Sequence, residues 1–198
     1  VPCHRKTLIT TEKALNACLK RNVRNLFTTS WGDDGSETPA ECHWLGITMY
    51  AEYNYSAEYD SDSFKAKLKW LTGMSFDEWM LQDDINNFAN CENTNTFEKI
   101  ALLQDVICGM HDAYMRDASK LTDLTAHYLN LAERFEALAA RKDSNTIIND
   151  FYAALCRCLA IKWNLGIRAA DAYIAGDKAA LKAIADSVVP QLVETLDK

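Results

Sequence analysis

The sequence predicts a mainly α protein: a helical bundle domain preceded by a single helix–strand–helix unit. Three observations lead there. Glycine and proline are scarce, seven and three in 198 residues, which favours uninterrupted helices. Apolar residues in the later part of the chain recur at spacings of three and four, the helical period. Only "NLFTTSW", residues 25–31, reads convincingly as a strand.

The first helix is expected over residues 10–21. Thr10 or Thr11 caps it, Glu12 suits its first turn, and Ala14, Leu15 and Cys18 share a face. The strand then runs to Gly32. An acidic loop follows, and a helix restarts near Pro39, a residue suited to a first helical turn. Ala40, Trp44, Ile47 and Ala51 line one face of it. A lone strand cannot satisfy its own backbone groups. This one is expected to pair with another chain or with a sheet lying upstream.

From residue 57 onward only helices are expected, so the chain divides into units 1–56 and 57–198. "SAEYDSDS" is the polar link. A short helix spans 63–72 and stops at Gly73. Ser75 and Glu78 have the spacing of a capping box. A loop covers 90–96 and a helix about 97–115. Leu121, Leu124, Tyr128, Leu131, Phe135 and Leu138 form a packing stripe on a helix over 121–141. The longest helix is expected over 146–175, with Asp150, Arg157, Asn164 and Asp171 as a narrow polar strip. Apolar residues such as Ile147, Phe151 and Leu159 cover most of its remaining circumference, which suits the centre of a bundle. Gly176 stops it, Asp177 caps the last helix, and Pro190 kinks or restarts that helix.

Composition narrows the function. A net charge of −7 argues against a nucleic-acid partner, since phosphate binding wants a basic face. No segment is long and apolar enough to span a bilayer. "VPCHRKTL" lacks the apolar core of a signal peptide, so a cytoplasmic setting is expected. Seven cysteines at irregular spacings, without C-x-x-C, suit reduced buried thiols better than a disulfide framework. Cys3-His4 and Cys42-His43 match no zinc module, and no metal or cofactor is expected.

The stretch "TTSWGDDGSE", residues 28–37, concentrates the chemistry. Adjacent Asp33 and Asp34 do not fit the alternating ligands of an EF-hand. A metal–carboxylate site would want His or further acids nearby. A polar turn explains Gly32, Gly35 and Glu37 but leaves Trp31 at the strand end without a role. Carbohydrate recognition accounts for Trp31, whose face would stack on a sugar ring while carboxylates accept from hydroxyl pairs. On residues alone the turn reading leads the sugar reading, and both stay open.

"ALNACLKRNVRNLFTTSWGDDGSE" resembles the last βα unit of family 20 glycoside hydrolases of the intracellular β-N-acetylhexosaminidase type, whose eighth strand enters a W-G-D-x-G-x-E loop. "ALLQDVICGMHD" and "ALCRCLAIKWNLGIRAADAYIAGDKAALKAIA" resemble the helical C-terminal domain of that branch. The resemblance implies that residues 1–56 are a helix–strand–helix remnant of a β/α barrel and that 57–198 are the helical C-terminal domain. It implies removal of terminal N-acetylhexosamine from glycans, with the substrate's own acetamido oxygen as nucleophile. Trp31 would wall the sugar pocket, with Asp33 and Glu37 as hydroxyl contacts. The family's catalytic Asp-Glu pair sits on an upstream barrel strand. The one adjacent Asp-Glu here, Asp77-Glu78, lies in the capping box and reads as a cap. The chain is therefore expected to be a C-terminal piece, inactive by itself. The rival reading is a non-catalytic helical interaction module, whose open strand edge would pair with a second copy in a homodimer.

Overall fold

The computed structural model describes residues 1–30, 38–56, 59–88 and 96–197. Every regular element among these residues is helical. Helix α1 spans His4–Lys20 and α2 spans Trp44–Ser56, entered through a 3₁₀ turn at Ala40–His43. Residues 23–30 between them carry no strand and are exposed. The expected strand is therefore absent over 25–30. A strand exists only through hydrogen bonds to a neighbour, and the described residues supply none.

Helix α1 starts well before Thr10 and Thr11, which lie inside it rather than at its cap. Thr10 Oγ1 instead donates to the Lys6 carbonyl at 2.7 Å. Leu15 is buried and Cys18 half-buried, but Ala14 faces out. Helix α2 buries Leu45, Thr48, Met49, Glu52 and Tyr53. The face expected to be inward is rotated away, since Trp44 and Ile47 are each about two-fifths exposed, 42% and 41%. The core lies on the side of α3 (Ser61–Thr72), where Phe64 and Leu68 are fully buried. Gly46 lets α1 and α2 approach closely; a Cβ there would lie 3.2 Å from Thr7 Cγ2.

Local signals hold well in the next elements. Gly73 ends α3 in the left-handed conformation, φ 79°. Ser75 and Glu78 form the capping box of α4 (Phe76–Met80), with the Ser75 amide donating to Glu78 Oε2 at 2.6 Å and the Glu78 amide to Ser75 Oγ at 3.3 Å. The helix expected over 97–115 is broken into α5 (Phe97–Leu103) and α6 (Asp112–Ser119). The chain turns extended at Gln104, ψ 140°, after α5, and Lys162 Nζ donates there to the Leu102 and Gln104 carbonyls, both at 2.9 Å. Asp105 Oδ1 then accepts from the Ile107 and Cys108 amides, and Gly109 turns with φ 59°.

The centre is the pair α7 (Leu124–Ala139) and α8 (Thr146–Lys162), an antiparallel hairpin over a short link. Leu124, Tyr128, Leu131, Phe135 and Leu138 are buried as the stripe predicts, while Leu121 precedes the helix and is exposed. Phe135 meets Tyr152 at 5.4 Å between ring centroids. Arg157 spans Glu136 with two hydrogen bonds of 2.6 and 2.8 Å. The long helix expected over 146–175 is interrupted at Trp163-Asn164, giving α9 as Leu165–Ile174. The bend brings Gly166 against the turn after α5, where a Cβ would sit 3.0 Å from the Val106 carbonyl oxygen. Ile147 and Phe151 of α8 face outward, exceptions on a helix expected to be largely buried, which does bury Ile148, Tyr152, Cys156 and Leu159.

Gly176, with φ 66°, ends α9, and Asp177 caps α10 (Lys178–Ala183) through the Ala180 amide at 2.9 Å. A π-helical turn at Ile184–Val188 leads into α11 (Val189–Leu196). Pro190 lacks an N–H and crowds the preceding carbonyl, so the helix widens by one residue instead of continuing. One apolar cluster runs from Val1 and Leu15 through Trp79, Tyr128 and Phe135 to Ile167. A smaller one joins Cys158, Leu165, Ile184 and Leu192.

Candidate functional site

Trp31, Asp33 and Glu37 lie outside the described residues. The residues on either side of them are placed. Thr28, Thr29, Ser30 and Thr38 line a cleft of about 460 Å³, together with the start of α1, Cys42, His43 and Tyr50. Hydroxyl side chains dominate one wall, with Thr7, Thr10 and Thr11 of α1 among them. Ile47 and Tyr50 supply apolar surface from α2. A cleft with many hydroxyls and about as much apolar as polar surface suits a polar ligand with an apolar face or an amphipathic segment of chain.

The cleft brings together two Cys-His pairs that are distant in sequence, Cys3-His4 and Cys42-His43. Among the described residues, however, no three His, Cys, Asp or Glu side chains converge as a metal site would need. His4 is 2% exposed and already engaged. Its Nε2 lies 2.9 Å from Gln82 Oε1, and an amide oxygen only accepts, so Nε2 carries the proton. Its ring stands edge-on to Trp79, 6.2 Å between centroids. Burial holds its pKa below the ordinary imidazole value, against the pull of Asp83 and Gln82. Burial likewise pushes the Cys42 thiol up to about 12, although its Sγ lies 3.1 Å from Tyr152 Oη. Burial also raises Cys3. The three groups are therefore two protonated thiols and a neutral imidazole at neutral pH, with no activated nucleophile among them.

Beneath the cleft the start of α1 is tied to the turn after α4. Asp83 accepts from the His4 amide at 2.5 Å and the Arg5 amide at 2.8 Å. The Val1 nitrogen donates to Glu98 Oε1 at 2.8 Å, and the Glu98 amide donates to Asn86 Oδ1 at 2.9 Å. Sequence reasoning missed this joint. In "QDDINN", residues 82–87, Gln82, Asp83 and Asn86 are at most 2% exposed. Three polar residues so deeply buried are unusual, and nothing local announces that.

Asp77-Glu78 is a cap, as the sequence predicts. Both Glu78 carboxylate oxygens are used, one by the Ser75 amide and the other by Arg141. Cys42, Cys156 and Cys158 are buried free thiols, whereas Cys108 is exposed. Among the described residues no helix is long and apolar enough to cross a membrane.

The family model of the Glycoside Hydrolase 20C C-terminal domain matches residues 77–198. The chain belongs to this glycoside hydrolase 20C family. A comparison with curated proteins found no match. The matched glycoside hydrolase 20C domain begins inside the capping box of α4 and takes in the Asp83 turn, the α7–α8 hairpin and everything after it. Helices α1–α3 and the cleft precede it on the chain.

Proposed function

We propose that the chain is the C-terminal part of a cytoplasmic β-N-acetylhexosaminidase, with residues 1–56 as the last βα unit of its barrel and 57–198 as its helical domain. The observation that carries this reading is the glycoside hydrolase 20C match over residues 77–198, joined on one chain to the W-G-D-x-G-x-E loop. Helix α1 and the residues leading into that loop line one cleft, as neighbours on the working face of a barrel do. Trp31 stacks on the sugar; Asp33 and Glu37 accept from its hydroxyls. The substrate's acetamido oxygen attacks the anomeric carbon, and an Asp-Glu pair outside these residues orients the acetamide and moves the proton. Asp77-Glu78 is occupied as a cap, so the chain alone lacks turnover. Exposed apolar side chains on the N-terminal unit, Ile9, Leu19, Trp44 and Phe27, support a barrel that covers them. The buried free thiols support the cytoplasmic setting.

Incubation of the purified chain with a chromogenic N-acetylglucosaminide should give no release above buffer; clear turnover would overturn the truncation. In the complete enzyme Trp31→Ala should weaken substrate binding by about tenfold to a hundredfold, the loss of one stacked ring. Unchanged kinetics would remove Trp31 from the site.

A second reading has one observation in its favour. Val189, Val193 and Leu196 of α11 are exposed, and Leu196 lines an apolar groove of about 510 Å³ with Leu103, Phe151 and Leu155. Such a surface suits a homodimer built on the helical domain. Light scattering addresses it: a strict monomer at micromolar concentration disfavours pairing through α11.

A further inference from the structure

A helix leaves its first amides without intrahelical partners. Helix α1 has no local help, since Cys3 stands at the N-cap position and makes no side-chain cap. Asp83 supplies it from 79 residues away, one carboxylate oxygen to each of the His4 and Arg5 amides. Around that pair, His4 Nε2 donates to Gln82, and Arg5 reaches Asp84 at 3.4 Å. The Asp83 side chain is 0% exposed. A buried carboxylate is costly unless fully engaged; here two charge-assisted bonds and the positive end of a 17-residue helix offset that cost.

The consequence reaches the cleft. Val1, Pro2, Cys3 and His4, the residues held by this joint, line the same cleft as Thr28–Ser30 and Thr38. Asp83 itself lies in the glycoside hydrolase 20C domain, within 77–198. We propose that Asp83 is a positioning residue: through the first turn of α1, the helical domain sets one wall of the cleft that Thr28–Ser30 and Thr38 also line. Only the effect on sugar binding rests on the N-acetylhexosamine reading. The domain is then a working part of the cleft's geometry.

The test uses the ¹⁵N-labelled 198-residue chain. In the wild type, the His4 and Arg5 amides should be as protected from hydrogen exchange as those in the middle of α1; a frayed first turn overturns the proposal, whatever the variants do. Asp83→Asn places an N–H where an acceptor is needed, and Asp83→Ala removes both acceptors. Each should speed exchange at His4 and Arg5 by about tenfold or more, the scale of a lost cap, while α7 and α8 stay protected. The Thr28–Ser30 resonances should move as well. Asp84→Asn, which touches only the Arg5 side chain on α1, should do neither. If the first turn loosens and Thr28–Ser30 stay still, Asp83 is merely a cap and positioning is overturned. Titration with N-acetylglucosamine separates the sugar reading. Binding weakened by Asp83→Asn supports both, and binding unchanged with a loosened turn overturns positioning. A wild type silent to about 10 mM sugar, with the exchange and resonance effects intact, overturns sugar binding by this chain alone and leaves positioning of the cleft standing.

Discussion

At the scale of single residues, burial decides chemistry more than residue type does. His4 is the clearest case, a titratable ring sealed between Gln82, Trp79 and the start of α1. Burial lowers its pKa, Asp83 and Gln82 oppose that, and His43 adds to it. The unfolded chain therefore binds this proton first as pH falls below about 6.5. Stability from the neutral ring is fully present above that value and is lost as pH drops toward the folded pKa. Urea midpoints should fall between pH 7 and pH 5, and His4→Gln should make that slope shallower. An equal slope in the variant would assign the effect elsewhere. Glu52 and Glu136 also depend on acid, but their carboxyls are held low by Lys67 and Arg157 respectively, so their loss comes below the usual carboxylate range. None of this is legible in "PCHRK", because Gln82 and Trp79, the groups that seal His4, lie far along the chain.

At the scale of elements, two glycines show the difference between local and tertiary demands. Gly176 ends α9 at φ 66°, and a Cβ there would meet nothing within 4 Å. Gly166 lies inside α9, and its Cβ would meet the Val106 carbonyl oxygen at 3.0 Å and Asp112 Oδ1 at 3.5 Å. Gly176→Ala should cost about 1–2 kcal/mol of backbone strain, and Gly176→Asn should recover much of it, because Asn tolerates the left-handed region. Gly166→Ala should cost about 1–3 kcal/mol by forcing the turn after α5 aside, and Gly166→Asn should cost more. Unfolding midpoints for the four variants check both halves. The sequence shows Gly176 as a stop because Asp177 follows with a capping side chain. It gives no sign at Gly166, whose partner is a backbone carbonyl in another element. The break of the expected 97–115 helix also engages a distant group: Lys162 of α8 satisfies the Leu102 and Gln104 carbonyls where α5 ends.

At the scale of the whole molecule, stability centres on the α7–α8 hairpin. Phe135 is 0% exposed and Ile147 is 83% exposed. Phe135→Ala should therefore cost about 3–5 kcal/mol, and Ile147→Ala should stay within about 0.5 kcal/mol, measured by urea unfolding. Comparable losses would mean that a partner covers Ile147 in solution. The stripe on α7 was readable because a 3-4 spacing fixes one face of one helix. On α8 the spacing is nearly all apolar, so periodicity cannot say which side is covered. Trp31, Asp33 and Glu37 are proposed from a sequence motif alone; the cleft that Thr28–Ser30 and Thr38 line was not legible, since its walls come from α1, the residues after it and the start of α2, and its anchor from the helical domain. The sequence by itself determined the helical class, the capping box at Ser75, the stop at Gly176 and the inward face of α7. Each of these follows from interactions within about four residues along the chain. Only the tertiary structure decided the absence of a strand over 25–30, the rotated face of α2, the break after Lys162 and the cap that Asp83 places on α1. Each of those depends on a group far away in sequence, and a hydrogen bond or a packed face exists only once its partner has been brought to it.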